Sequence, residues 1–218
     1  MKHVLEADGI QLEFNGRKIL SDIYLKCETG KITGLLGRNG QGKSCLMNII
    51  YGSLACEKSV RFDRISIKEP YKRTDLIRYL PQFHYLPKSL SLQRIFTDFE
   101  LEYSAFSGRF PEFIDKQKDT IQRLSGGEKR LVEIYVLVKS KSQFVMLDEP
   151  FTQISPIQIE KVKLLLLEEK ENKGLFITDH IYKHILDISH SAYVLVHGRT
   201  HLTKDDTDLE RLGYINLQ

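Results

Sequence analysis

A 218-residue chain with 41% hydrophobic side chains can bury a substantial core, which excludes a disordered protein. Its 28% charged residues leave a net charge of only +3, with lysines and arginines scattered among acids, so no basic patch for nucleic acid is indicated. Cys27, Cys45 and Cys56 show no CxxC spacing; neither a disulfide framework nor a zinc site is expected, and reducing cytoplasm is the expected compartment. Acids interrupt Met1 to Gly9, which argues against a signal peptide, and the longest aliphatic block, Leu164 to Leu167, is too short to span a bilayer.

Strands are expected at Val4 to Ala7, Ile10 to Phe14 and Ile23 to Cys27, separated by Gly9 and by the turn pair Asn15-Gly16, and they read as antiparallel. Lys31 to Leu36 is a further strand. It runs into Gly37-Arg38-Asn39-Gly40-Gln41-Gly42-Lys43-Ser44, and a helix opens at Lys43 with Leu46, Ile49 and Ile50 on its inner face. A glycine-rich loop with lysine and serine between strand and helix is a phosphate cradle. Backbone N–H groups turn onto phosphate oxygens, the helix dipole adds positive potential, Lys43 supplies a charge, and Ser44 offers a ligand to magnesium. Gly37 to Ser44 and the adjoining Cys45 are therefore the candidate triphosphate contacts.

Val60 to Ile67 and Leu76 to Leu80 read as strands, after which Leu86 to Leu124 becomes helical and irregular. Helices are expected at Ser91 to Phe99 and Glu112 to Gln122, with Ser107-Gly108 and Pro111 breaking the chain between them. From Ser125 onward helix and strand alternate. Leu131, Ile134, Tyr135 and Val138 keep helical spacing. Phe144 to Leu147 is continuously apolar, as a strand covered on both faces should be; Leu175 to Thr178 and Ala192 to Val196 read similarly. The expected fold is α/β, with a mostly parallel sheet around the phosphate loop, an N-terminal antiparallel β subdomain and a small helical lobe.

The apolar strand delivers Asp148 and Glu149 to the sheet edge that presents the phosphate loop. Asp148 is the candidate magnesium ligand beside Ser44, and Glu149 the candidate acceptor for the proton of an attacking water. Upstream, Ser125-Gly126-Gly127-Glu128 heads a helix and reads as a capping box, serine and glutamate bonding each other's backbone. That leaves the glycines unexplained, since each lowers helix propensity by roughly 1 kcal/mol relative to alanine. Bare N–H groups approaching an anion would explain them, which makes Ser125, Gly126 and Gly127 a candidate second anion site.

Together these residues resemble the ATP-binding cassette (ABC) ATPases, marked by LSGGE between a phosphate loop and a strand ending in paired acids. Gly37 to Ser44 resembles the family's Walker A loop, Leu124 to Glu128 its signature, and Val145 to Glu149 its Walker B strand, giving a P-loop NTPase. The resemblance implies that Gln82 links magnesium and the attacking water to the helical lobe, that His180 contacts the γ-phosphate, and that Phe14 stacks on adenine. It implies ATP and Mg²⁺ as ligands, one cassette over residues 1–218 with a helical lobe at about 86–140, and ATP hydrolysis that drives transport through a separate transmembrane permease subunit. Two cassettes, alike or different, would close head to tail, each ATP lying between Gly37 to Ser44 of one and Ser125 to Gly127 of the other. The chain would then sit in the cytoplasm at the inner face of the cell membrane. The alternative is a soluble cassette in another task, such as iron-sulfur cluster assembly.

Two departures from the family stand out. Phe151-Thr152-Gln153-Ile154-Ser155-Pro156 carries Ser155 where the family has an aspartate; serine as N-cap and proline in the first turn keep the helix start while a charge is lost, which puts coupling between paired sites in doubt. The lobe between Gln82 and Leu124 is compact, which implies a small or unusual partner.

Overall fold

A computed structural model describes residues 2–203 and 205–214. The chain opens with β1 (Val4–Phe14), β2 (Arg17–Leu20), β3 (Tyr24–Glu28) and β4 (Ile32–Leu36), the last leading into helix α1 (Lys43–Tyr51). Then come β5 (Glu57–Phe62), β6 (Ile65–Ser66), β7 (Ile77–Leu80) and helices α2 (Leu92–Asp98), α3 (Tyr103–Arg109) and α4 (Gly126–Lys139). The remainder alternates: β8 (Phe144–Asp148), α5 (Pro156–Glu169), β9 (Gly174–Thr178), α6 (Tyr182–Leu186), β10 (Ser191–Val196), β11 (Arg199–Thr203) and α7 (Asp206–Arg211).

Two sheets result. One is antiparallel, built on β1 with β2, β3 and β5 paired to it and β6 beyond β5. The other runs β11-β10-β4-β9-β8-β7, parallel throughout except for β11. Side chains alternate across β8: Phe144 and Met146 join α1 and the antiparallel sheet in one core, while Val145 and Leu147 face α4, α5 and the helical segment in another. Burial of all five residues in each of β4, β8 and β9 accounts for their largely apolar character.

Three boundaries differ from the sequence reading. Gly9 does not divide two strands; at φ +59° it produces a register shift against β5 inside one eleven-residue β1, which pairs with β3 before the shift and with β2 after it. Val60 to Ile67 is two strands, because Asp63 and Arg64 both take left-handed φ values and turn the chain into a hairpin. The helix expected at Glu112 to Gln122 is absent. Its place is taken by short 3-10 turns at Pro111–Phe113 and Ile121–Arg123, while the helix lies earlier, in α3, running through Ser107-Gly108. Backbone bonds explain this: Leu92 and Gln93 donate to Asp119 and Gln117, and Ile121 and Gln122 donate to Leu90 and Lys88, so the later stretch is tied as a series of turns against the start of α2. Phe106 and Phe113 then meet at 4.7 Å between ring centres inside a cluster with Phe96, Phe110 and Tyr135.

Candidate nucleotide site

Four parallel strands end on one edge: Leu36 opens the glycine loop, Leu80 leads to Gln82, Asp148 to Glu149, and Thr178 to His180. A cavity of ≈ 450 Å³ lies there, walled by Phe14, Asn39, Gly40, Gly42, Lys43, Ser44, Cys45, Gln82 and Glu149, with Ile19 added. Phe14 is 47% exposed on the cavity wall. Gly42 caps α1 at φ +99°, and a Cβ there would stand 2.9 Å from Ile19 Cγ2, so the loop closes only with glycine. The Lys43 ammonium donates to the carbonyls of Gly37 at 2.7 Å and Arg38 at 3.4 Å, inside the loop. Burial holds its pKa below the usual lysine range, while Glu149, Asp148 and Asp179 pull it up. Gln41 faces away, its side chain accepting from the N–H of His197 at 3.2 Å, and Arg38 reaches the carbonyl of Gly213 at 2.7 Å.

Asp148 is 1% exposed. The Tyr79 hydroxyl donates to its Oδ2 at 3.1 Å, whereas its Oδ1 is buried without a hydrogen-bond partner. Burial raises its pKa; the Ser44 and Tyr79 hydroxyls act in the opposite sense. An orphaned buried carboxylate oxygen beside a serine hydroxyl is a donor set that suits a hard divalent cation. Glu149 takes a left-handed φ of +51°, and its N–H donates to Thr178 O at 2.8 Å. His180 Nδ1 lies 3.8 Å from Glu149 Oε2 and 3.3 Å from Asp179 Oδ1. Asp179, which the sequence reading passed over, is fully buried and accepts from the N–H groups of Phe151 and Ile181 at 3.2 and 2.9 Å, fixing the turn that carries His180.

Ser125 and Glu128 form the expected capping box at the head of α4: Glu128 N–H donates to Ser125 Oγ at 3.3 Å, and Ser125 N–H to Glu128 Oε2 at 2.8 Å. A Cβ on Gly126 would stand 2.4 Å from Gln153 Oε1, and one on Gly127 2.4 Å from Gln153 O. The backbone of the segment following Glu149 therefore gives Gly127 a reason within the chain, whereas at Gly126 the near atom is the end of a flexible side chain that can turn aside. Ser125, Gly126 and Gly127 are not walls of the cavity around Lys43. Ser155 caps α5 as its sequence indicates, in a second capping box with Gln158, with Pro156 in the first turn.

Sheet order, glycine loop and paired acids define a P-loop nucleotide-binding protein. The family model described as ABC transporter matches residues 20–152. The lipopolysaccharide export system ATP-binding protein LptB of Escherichia coli K12 is 30% identical over 95% of this chain and 92% of its own length. A probable ABC transporter ATP-binding protein of Azorhizobium caulinodans is 32% identical over 94% of this chain and 78% of its own. Among solved structures, an ATP-binding subunit of an ABC transporter superposes with a TM-score of 0.78 at 20% identity, covering 97% of this chain and 94% of that one. The ADP conformation of another ATP-binding cassette gives 0.75 at 22%, covering 96% and 94%. This chain belongs to the ABC transporter family, and is one of its ATPases.

Proposed function

We propose that the cavity around Lys43 takes MgATP, that Glu149 is the base of its hydrolysis, and that the energy drives transport through a separate membrane subunit. The carrying observation is the convergence of Lys43, Ser44, Gln82 and Glu149 on one cavity, with Phe14 as a wall for the base. Magnesium, when bound, would neutralise charge on the phosphates; Ser44, Asp148 and Gln82 are the residues to hold it, and the unpartnered Asp148 Oδ1 supports that reading. Such an ion needs only one or two protein carboxylates, since substrate phosphates and waters complete its shell. In this reading Glu149 takes the proton of the attacking water and His180, whose Nδ1 lies 3.8 Å from Glu149 Oε2, contacts the γ-phosphate.

Ser125, exposed, and Gly126 and Gly127, half-buried, stand apart from that cavity at the start of α4, which supports their serving the nucleotide of a second cassette in a head-to-tail dimer, homomeric or heteromeric. Among the described residues no helix is long and apolar enough to cross a membrane, and the relatives carry names of ATP-binding proteins of transport systems. Those facts support a peripheral position at the inner membrane face, held by a permease subunit. Residues 1–218 are read as one cassette. The test is Lys43→Ala: no other lysine walls the cavity, so ATP binding by calorimetry should be lost. Affinity equal to wild type would overturn the site.

A further inference from the structure

Arg130 lies in the second turn of α4, 2% exposed, and addresses three backbone carbonyls at once. Nη1 donates to Pro81 O at 2.7 Å; Nη2 donates to Asp148 O at 2.5 Å and Glu149 O at 2.9 Å. One guanidinium thus holds the residue before Gln82, the acid that ends β8 and the acid that follows it. Its charge faces Glu133, one turn further on and fully buried, at 3.7 Å. Glu133 in turn holds the residues after Gln82: its Oε1 accepts from Tyr85 N–H at 3.0 Å, and its Oε2 lies 3.0 Å from His84 Nδ1. Gln82 is pinned on both sides by one ion pair.

Burying such a pair is generally no more stabilising than packing apolar residues of the same volume, so what it supplies here is geometry. Arginine suits the task because its planar fork reaches several acceptors in fixed directions, which a lysine ammonium does not. Glu149 is where the geometry matters. A non-glycine residue keeps a left-handed φ only when its surroundings over-determine it. Here its N–H is fixed by Thr178 O and its carbonyl by Arg130, so both ends of the residue are tied and its carboxylate is aimed. Arg130 is not a wall of the nucleotide cavity.

We infer that Arg130, braced by Glu133, is a positioning residue for ATP hydrolysis: it sets Glu149 and Gln82 relative to one another without touching the nucleotide. The inference rests on reading Glu149 as the base. The experiment compares wild type, Arg130→Lys, Arg130→Met, Glu149→Gln and the double variant Arg130→Lys/Glu149→Gln for kcat, KM and melting temperature. A small misplacement of reacting groups can lower turnover by about 10². Arg130→Lys should fold, keep KM within about twofold and lose kcat by roughly 10 to 100-fold, whereas in the Glu149→Gln background the same change should add less than about twofold, because both act on one step. Wild-type kcat in Arg130→Lys, or an equal loss in both backgrounds, would overturn the inference. So would failure of both Arg130 variants to fold, which would assign the residue to stability alone. Should Glu149→Gln itself turn over like wild type, the assignment of the base fails; should it be slow while Arg130→Lys is normal, only the inference about Arg130 fails.

Discussion

At Gly127 two residue-level effects have opposite signs. Alanine in place of a helical glycine ordinarily gains about 1 kcal/mol, but here its Cβ would stand 2.4 Å from the backbone oxygen of Gln153. Gly127→Ala should therefore lower the melting temperature, read by thermal unfolding; a rise would mean that the Gln153 segment moves away without loss. The same pair of positions marks how far single residues could be read from sequence. Lys43, Ser44, Asp148 and Glu149 lie in short contiguous motifs, and strand ends on one sheet edge bring them together with Gln82 and His180. Arg130, Glu133 and Tyr79 gave no signal, because their partners lie far along the chain: Arg130 meets Pro81 across 49 residues, Glu133 meets Tyr85 across 48, and Tyr79 meets Asp148 across 69. Asp179 does carry a local signal, since it follows the buried strand β9 directly and precedes His180.

Elements followed the sequence where periodicity and turn chemistry agreed, and departed where packing from elsewhere decided. The strand feeding the glycine loop, α1, β8, β9 and the two capped helices α4 and α5 lie where apolar pattern and caps place them. The stretch after Pro111 reads as a helix in isolation but is held as turns and short 3-10 segments by backbone bonds to residues 88–93, a tertiary contact with no local trace. Both ends of α4 are fixed by polar groups. Its start carries the capping box, and at its end the buried Lys173 ammonium donates to the carbonyls of Val138 and Ser140, each at 2.6 Å. Burial lowers the Lys173 pKa from 10.5 to about 8. Between those values the unfolded chain binds more protons than the folded one, so stability attributable to Lys173 rises with pH across the window from 8 to 10.5 and is level below it. Wild type should gain on Lys173→Met between pH 8 and 10, by at most about 1.4 kcal/mol per pH unit. Denaturant titrations at both pH values check this, and a stability difference that stays constant or shrinks would contradict it.

The whole molecule brings four loops to one edge of a parallel sheet and sets a helix-capping glycine pair apart from them. The first arrangement explains how one chain can bind a triphosphate; the second is consistent with a site completed by another cassette. Serine at 155, where the family has an aspartate, leaves α5 intact, because Ser155 and Gln158 cap it, and we propose that any consequence of that departure falls on communication between sites. Everything proposed for transport depends on turnover at Glu149. Phosphate release under saturating MgATP, measured for wild type and Glu149→Gln with ATP affinity determined on the same preparations, tests this most directly. Turnover should fall by about 10² to 10⁴, the usual contribution of a positioned base, with affinity kept within a few-fold. Turnover in Glu149→Gln within a few-fold of wild type would show that the proton of the attacking water goes elsewhere.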